Sequence, residues 1–198
     1  MEIGLYFGSF NPIHFGHLII ANQVLNETAL EKIWLIVSPQ NPLKKNNTLL
    51  NESDRLQLVR LAVEGDNRLK VTDIEFSLPK PSYSVNTLAY LQEKFPQHTF
   101  SIIMGSDSFK NIEHWKNYSE ILSNYPIFIY KRPGFEITKT NNAMLSFLDA
   151  PLLEISASQI RHLIKTGKSI RYLVPENVRE EIVTRRFYSD KELKNKSK

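Results

Sequence analysis

Residues 8–17, with the sequence GSFNPIHFGH, join a short apolar run at residues 3–7 to an amphipathic run at residues 18–25. This order predicts a strand, a tight turn and a helix that begins at the end of the turn. The N-terminus of a helix offers N–H groups without intrahelical partners, together with the positive end of the helix dipole. The segment therefore predicts an anion-binding site at the edge of a sheet.

Two histidines occupy the start of the predicted helix. His14 and His17 are three residues apart, so on a helix they lie on one face, and Gly16 lets a bulky anion approach the backbone. Imidazole and amide N–H groups suit a polyphosphate, which is the ligand we expect. We expect no protein-built metal site, because neither a third nitrogen or sulfur ligand nor an acidic residue adjoins the pair. A purely structural, helix-capping role for the two imidazoles is the alternative.

Composition limits the class of protein. The chain has 198 residues, of which 41% are hydrophobic and 23% charged, and no cysteine. The chain is long enough for one well-buried domain. The absence of cysteine excludes disulfides and a cysteine nucleophile. No apolar run reaches 18 residues, and the N-terminus begins with a charged strand rather than a signal peptide. We therefore expect a cytoplasmic enzyme with no membrane partner.

The net charge of +4 lies mostly at the C-terminal end. Residues 171–198 hold eight basic and five acidic residues, and we expect residues 189–198 to form a frayed, solvated tail after a domain of residues 1–188. The basic residues do not alternate with exposed aromatic residues, which disfavours an RNA-binding module. We expect no nucleic-acid partner.

Strand-like and helix-like segments alternate along the chain. The strands are predicted at residues 3–7, 33–38, 69–74, 99–104, 127–130 and 151–155, and the helices at 16–26, 52–64, 85–95 and 115–123, with Asn51 and Ser84 as N-caps. This alternation predicts a single α/β domain, with a doubly wound, Rossmann-like and mostly parallel sheet between two helical layers. Residues 8–17, 105–107 and 156–161 each follow a strand, so we expect them to meet at one edge of the sheet.

Two sequence signatures resemble those of the nucleotidyltransferases. Residues 8–17 match the form G-x-F-[DN]-P-x-H-x-G-H, and ISASQIR at residues 155–161 resembles I-S-[ST]-[ST]-x-I-R, about 140 residues later and in the expected order. The resemblance implies that His14, His17 and Arg161 are catalytic. It also implies an ATP-binding set made of these three with Gly8, Ser9, Phe10, Gly16, Gly105, Asp107, Ser156 and Ser158. Ala157 stands where the signature has a hydroxyl residue, so no hydroxyl group acts there.

Further segments resemble bacterial nicotinate-nucleotide adenylyltransferases, and this likeness extends from residue 1 to about residue 188. They are SYSVNTL at residues 82–88, a tryptophan ten residues after Gly105, KRPG at residues 131–134 and a P-x-x-P-x-K loop at residues 39–44. The resemblance implies that Lys44, Ser84, Trp115 and Arg132 bind the acceptor. Taken alone, Trp115 would be a core residue, Ser84 a helix cap and Lys44 a solvated lysine.

The sequence thus predicts transfer of AMP from ATP to nicotinate mononucleotide, with Mg²⁺ held mainly by the phosphates. The first alternative is the same chemistry on nicotinamide mononucleotide or phosphopantetheine. The second is a catalytically silent nucleotide-binding regulator, which the intact His14, His17 and Arg161 disfavour. The sequence leaves both a monomer and a homo-oligomer open.

Overall fold

The fold is taken from a computed structural model of the chain, which describes residues 1–40, 49–132, 134–135, 143–148 and 154–189. Strands and helices alternate through these ranges. The strands are β1 (Glu2–Gly8), β2 (Lys32–Val37), β3 (Leu69–Thr72), β4 (Thr99–Gly105), β5 (Ile127–Tyr130) and β6 (Leu145–Leu148). The α-helices are α1 (Phe15–Glu27), α2 (Glu52–Ala62), α3 (Ser84–Lys94), α4 (Ser106–Phe109), α5 (Tyr118–Asn124), α6 (Ala157–Lys165) and α7 (Glu176–Thr184). Short 3₁₀ helices lie at Ile74–Phe76 and Ile112–His114.

The six strands form one parallel sheet in the order β3-β2-β1-β4-β5-β6. The chain order reverses between β1 and β4, which are neighbours, so the loops that follow these two strands diverge and leave a crevice at their carboxyl ends. This architecture confirms the predicted doubly wound parallel sheet. The predicted anion-binding turn follows β1 and therefore lies at this crevice.

Alternate residues of each strand face opposite helical layers. On β1, Ile3 and Leu5 belong to an apolar cluster that includes Leu88 of α3 and Ile121 of α5. Tyr6 faces the opposite layer, where it packs with α1. That second side of the sheet also carries α2, α6 and α7, through a cluster that contains Leu58, Ile160 and Val178. The period-2 pattern of the strands therefore buries both faces, as expected for a parallel sheet.

Two predicted elements are corrected by the structure. The sixth strand is Leu145–Leu148, whereas Glu154 and Ile155 are not in a strand, and residues 151–153 lie outside the described residues. The sequence pattern failed because β6 is an edge strand of only four residues, in which Ser146 and Phe147 are exposed, so it gives a weaker strand pattern than a longer strand buried on both faces. Ile155 instead packs against the core from an irregular segment.

The helix predicted at residues 115–123 begins later, at Tyr118. Its N-cap, Asn117, has a left-handed backbone with φ 52°, a conformation that asparagine tolerates better than most residues. Trp115 precedes this turn in an extended conformation, with φ −80° and ψ 139°. The predicted tail at residues 189–198 lies, except for Ser189, outside the described residues.

Candidate active site

The turn between β1 and α1 is shaped by a buried phenylalanine. Phe10 has a left-handed backbone with φ 43°, which is unusual for a bulky residue, and it is 1% exposed. A Cβ on Gly8 would come within 2.8 Å of the Phe10 ring, so a glycine is needed for the ring to fold back over β1. The ring also contacts His17, with centroids 5.1 Å apart. Packing therefore fixes the turn above the end of β1.

The two signature histidines lie side by side at the start of α1. His14 is the N-cap and His17 lies in the first turn, and their ring centroids are 3.7 Å apart. The backbone N–H of His14 donates to Nδ1 of His17 over 3.3 Å. Because Nδ1 of His17 accepts this bond, the proton of the neutral ring is on Nε2, which can donate to a bound anion.

Burial keeps His14 uncharged. The residue is 4% exposed, and loss of solvation, aided by the positive charge of Arg132, lowers the pKa of its imidazole from 6.5 to about 4. A Cβ on Gly16 would come within 2.9 Å of Nδ1 of His14, so Gly16 provides the space that this ring occupies. At neutral pH the histidine pair therefore carries no positive charge on His14.

The start of α6 contacts the turn after β1. Ser156 is the N-cap of α6 and its hydroxyl accepts from the backbone N–H of Gln159. Arg161 donates through Nη1 to the carbonyl of Asn11 over 2.7 Å and through Nη2 to the Ser158 hydroxyl over 3.2 Å. These contacts confirm that residues 8–17 and 156–161 meet at one edge of the sheet. They also show that Arg161 uses both arms of its guanidinium group.

The end of β4 supplies a second set of polar groups. Arg132 lies 3.4 Å, Nε to Oδ1, from Asp107, and its backbone N–H donates to the Ser106 hydroxyl over 2.9 Å. A Cβ on Gly105 would collide with the Asp107 carboxylate and would lie 3.0 Å from the Tyr130 ring. Glycine therefore lets the carboxylate fold back against the backbone at the end of β4. Arg132, which is predicted to bind the acceptor, therefore contacts Ser106 and Asp107 directly after the end of β4.

A cavity of about 390 Å³ lies over the carboxyl ends of β1 and β4. On one side it is lined by Gly8, Ser9 and Gly105, and on the other by Ser84 and Trp115. The structure thus brings together five of the predicted site residues in one cavity. His14, His17 and Arg161 are not among its lining residues. The His17 ring contacts the ring of Tyr6, which does line the cavity, with centroids 6.1 Å apart.

The start of α3 faces this cavity, and here the structure corrects the sequence prediction. The N-cap is Tyr83, and Ser84 is the first helical residue. No side chain of the described residues caps this helix, and the Tyr83 carbonyl accepts from Asn86 and Thr87. The hydroxyl of Ser84 is therefore not used as a cap. The first N–H groups of α3 remain available to a ligand.

Glu75 is a site residue that sequence reasoning missed. It lines the cavity but is only 2% exposed, and its carboxylate accepts from the hydroxyls of Ser82 over 2.8 Å and Thr87 over 2.9 Å. Burial raises the pKa of Glu75, and these hydroxyl bonds, with one from Ser38, partly offset that effect. Glu75 therefore ties the segment before α3 to the end of β3. An acid between Ile74 and Phe76 is the sequence signal that could have identified it.

Arg55 is a second missed residue, and it is fully buried. Its guanidinium donates to four backbone carbonyls, those of Ser9, Ser38, Pro39 and Leu50, over 2.6 to 2.9 Å. It therefore holds the ends of β1 and β2 against the start of α2. The sequence signal is a charged residue three and four positions before Leu58 and Val59, on the apolar face of α2.

One predicted residue lies outside the described residues, namely Lys44. In the part of the chain that is described, no three of histidine, cysteine, aspartate and glutamate come together as a metal-ligating group. None of the described helices combines the length and the apolar character needed to cross a membrane.

The sheet order, the paired histidines on a helix N-terminus and the crevice at the switch point define a nucleotidyltransferase. The sequence model of the cytidylyltransferase-like family matches residues 5–163. At the level of whole chains, the protein belongs to the nicotinate-nucleotide adenylyltransferase family. It is 50% identical over 193 residues to a protein of Cytophaga hutchinsonii named as a probable nicotinate-nucleotide adenylyltransferase, covering 96% of this chain and 100% of that one.

Other relatives agree with this assignment. A Flavobacterium johnsoniae protein with the same name is 49% identical over 191 residues, which is 95% of this chain and 99% of the relative. Among solved structures, the nicotinic acid mononucleotide adenylyltransferase of Plasmodium falciparum complexed with NaAD superposes with a TM-score of 0.81. It covers 94% of this chain and 97% of that one at 20% identity, so it supports the fold.

Proposed function

We propose that the protein transfers AMP from ATP to nicotinate mononucleotide, giving nicotinate adenine dinucleotide and pyrophosphate. The observation that carries the proposal is that the Gly8–Ser9 turn and the pair Ser84 and Trp115 line the same cavity. In the reaction, an oxygen of the acceptor phosphate bonds to the α-phosphorus of ATP. The bond from the α-phosphorus to the oxygen that bridges to the β-phosphorus breaks, and pyrophosphate leaves with that electron pair.

The donor side would act by positioning and by neutralising charge, as expected for phosphoryl chemistry that needs no protein nucleophile. His17 would donate its Nε2–H to a phosphate oxygen, next to the N-terminal amides of α1. Arg161 would grip the leaving pyrophosphate with both arms, exchanging the Asn11 carbonyl and Ser158 hydroxyl for phosphate oxygens. Asp107, beside Gly105, would accept from the ribose hydroxyls.

The acceptor side would recognise the pyridine ring and its carboxylate. Trp115 would stack on the ring, because an aromatic contact adds about 0.5–1.5 kcal/mol beyond the area that it buries. The Ser84 hydroxyl and the first amides of α3 would donate to the carboxylate, since no side chain of the described residues caps that helix. Lys44 and Arg132 remain proposed acceptor-binding residues on the family resemblance.

We further propose that Mg²⁺ enters with ATP, held by phosphate oxygens and water, and that it neutralises phosphate charge when bound. The groups at the turn fit this mode of binding, because imidazoles and backbone amides are hydrogen-bond donors to phosphates. A cytoplasmic location is part of the same proposal, and it rests on the cysteine-free composition.

The test is pyrophosphate release from ATP with each of nicotinate mononucleotide, nicotinamide mononucleotide and phosphopantetheine. We expect the acid to be preferred over the amide, because the amide would leave a buried donor facing its NH₂ group. An unpaired buried donor costs on the order of 1–3 kcal/mol, which is roughly 5- to 150-fold in kcat/KM. Equal values for the two mononucleotides, or turnover only with phosphopantetheine, would contradict the proposal. Tight ATP binding with no turnover on any acceptor would favour the silent regulator.

A further inference from the structure

Lys116 places a positive charge at the acceptor end of the cavity. It directly follows Trp115, and both residues line the cavity together with Tyr83 and Ser84. Among the described residues of the lining, the one other member of the group aspartate, glutamate, lysine and arginine is Glu75. Lys116 is thus the cation of the lining, and it is adjacent in sequence to the proposed stacking residue.

The ammonium group is held near the start of α3. Nζ of Lys116 lies 4.6 Å from the centroid of the Tyr83 ring, within the range of a cation–π contact. Tyr83 is the N-cap of α3, and Lys116 and Ser84 both line the cavity, so the lysine and the start of that helix border the same space. A flexible lysine on an exposed turn is thereby restricted to the neighbourhood of the proposed carboxylate site.

The negative group of the cavity is already engaged, whereas the positive one is not. The Glu75 carboxylate accepts from the hydroxyls of Ser82 and Thr87. Lys116, by contrast, has no hydrogen bond or ion pair with any described residue, and its contact is the one with Tyr83. An anion that enters beside Ser84 would therefore meet uncompensated positive charge.

We propose that Lys116 is a specificity-determining residue that favours acceptors with a carboxylate on the pyridine ring over those with the neutral amide. This inference rests on the proposed function. An ammonium group within a few ångströms stabilises a carboxylate by a Coulombic interaction that a neutral amide cannot provide. Since Lys116 is exposed, solvent weakens the interaction, and the expected effect on selectivity is modest, roughly 3- to 30-fold.

The test compares Lys116→Met, Lys116→Arg and a matched control, Lys94→Met. Lys94 also lies over a tyrosine ring, that of Tyr90 in α3, with Nζ 5.2 Å from the ring centroid, but it does not line the cavity. We expect Lys116→Met to lower kcat/KM for nicotinate mononucleotide roughly 3- to 30-fold through KM, with less than about a twofold change for nicotinamide mononucleotide. Lys116→Arg should restore the preference, and Lys94→Met should leave it unchanged.

Calorimetric binding of the two mononucleotides to the same variants separates this inference from the proposed function. Wild-type protein that binds the acid better than the amide but gives no turnover would refute the proposed function alone, and the binding ratio would still test Lys116. If Lys116→Met weakens the binding of both mononucleotides equally, or of neither, the role of Lys116 in specificity is overturned. Wild-type protein that binds neither mononucleotide would overturn it as well.

Discussion

The imidazole rings of His14 and His17 lie with their centroids 3.7 Å apart and their planes tilted by 30°. Two imidazolium ions at this separation would repel each other strongly. Burial removes that conflict, because it lowers the pKa of His14 to about 4 and so leaves this ring neutral. In the proposed mechanism, His17 responds to phosphate charge, while His14 is its neutral, buried neighbour.

Replacing His17 tests this division of roles. If its Nε2–H stabilises charge that develops in the transition state, His17→Ala should lower kcat by about 10²- to 10³-fold while the protein remains folded. The measurement is steady-state pyrophosphate release, with thermal unfolding as a check on folding. His162→Ala, on the exposed side of α6, is the control and should keep normal turnover. A folded His17→Ala variant with near-normal kcat would remove His17 from the mechanism.

Arg161 should depend on the shape of its side chain as well as on its charge. Its two arms reach the Asn11 carbonyl and the Ser158 hydroxyl, which are on different segments, and a single ammonium group cannot span both. Arg161→Lys should therefore raise KM for ATP by about 5- to 50-fold, by the loss of one charge-assisted hydrogen bond. Arg185→Lys, at the surface end of α7, is the matched control. Equal kinetics for Arg161→Lys and the wild type would make Arg161 a structural residue.

The parts of the site that could be predicted from sequence are those encoded locally. The strand, turn and helix at residues 3–26 are contiguous, so periodicity and the glycines indicate them directly. The contact of Arg161 with Asn11 joins residues that are 150 positions apart in the sequence. The meeting of their two segments could be expected, because the carboxyl ends of parallel strands share one edge. Ser84 and Trp115 could be assigned to the site only through family resemblance, since each alone resembles a cap or a core residue.

The parts that could not be predicted depend on partners far away in the sequence. Arg55 bonds to carbonyls of Ser9 and Ser38, 46 and 17 residues away, and backbone carbonyls leave no signal in a sequence. The burial of the Glu75 carboxylate is explained by its hydrogen bonds from Ser82 and Thr87, and these residues come together only in the folded chain. The proposed role of Lys116 could not be predicted for a similar reason, because it depends on the position of this lysine over the Tyr83 ring in the cavity.

The pKa of His14 predicts a pH dependence of stability. The folded state has a pKa of about 4 and the unfolded state about 6.5, so the unfolded state binds the proton first as the pH falls. His14 therefore lowers the free energy of unfolding progressively below pH 6.5, and this loss is complete only once the pH has fallen below the folded-state pKa of about 4. Between pH 7.5 and 5 the loss is about 2 kcal/mol by this linkage.

The measurement is urea unfolding of the wild type and of His14→Gln at both pH values. Glutamine does not titrate, so the variant should lose about 2 kcal/mol less than the wild type between pH 7.5 and pH 5. The raised pKa of Glu75 acts in the opposite direction, but it is common to both proteins and cancels in the difference. Identical pH profiles for the two proteins would show that His14 titrates normally in the folded state.

Arg55 should contribute more to stability than any exposed arginine of the same helix. Arg55→Met removes the donors to four buried carbonyls and leaves them without these partners, which should cost about 3–5 kcal/mol. Arg60→Met is the matched control on α2, because the Arg60 side chain is 55% exposed and lies 4.0 Å from Asp73. We expect this control to change the free energy of unfolding by less than about 0.5 kcal/mol.

Urea unfolding of the wild type, both methionine variants and Arg55→Lys decides the point. Lysine keeps the positive charge but cannot reach all four carbonyls, so Arg55→Lys should lie between the wild type and Arg55→Met. This intermediate variant remains informative even when Arg55→Met is too unstable to purify. Because Ser9 and Ser38 both line the cavity, the folded Arg55→Lys variant should also raise KM for ATP and for the acceptor together. Arg55→Met as stable as Arg60→Met would show that the buried guanidinium only offsets its own cost of desolvation.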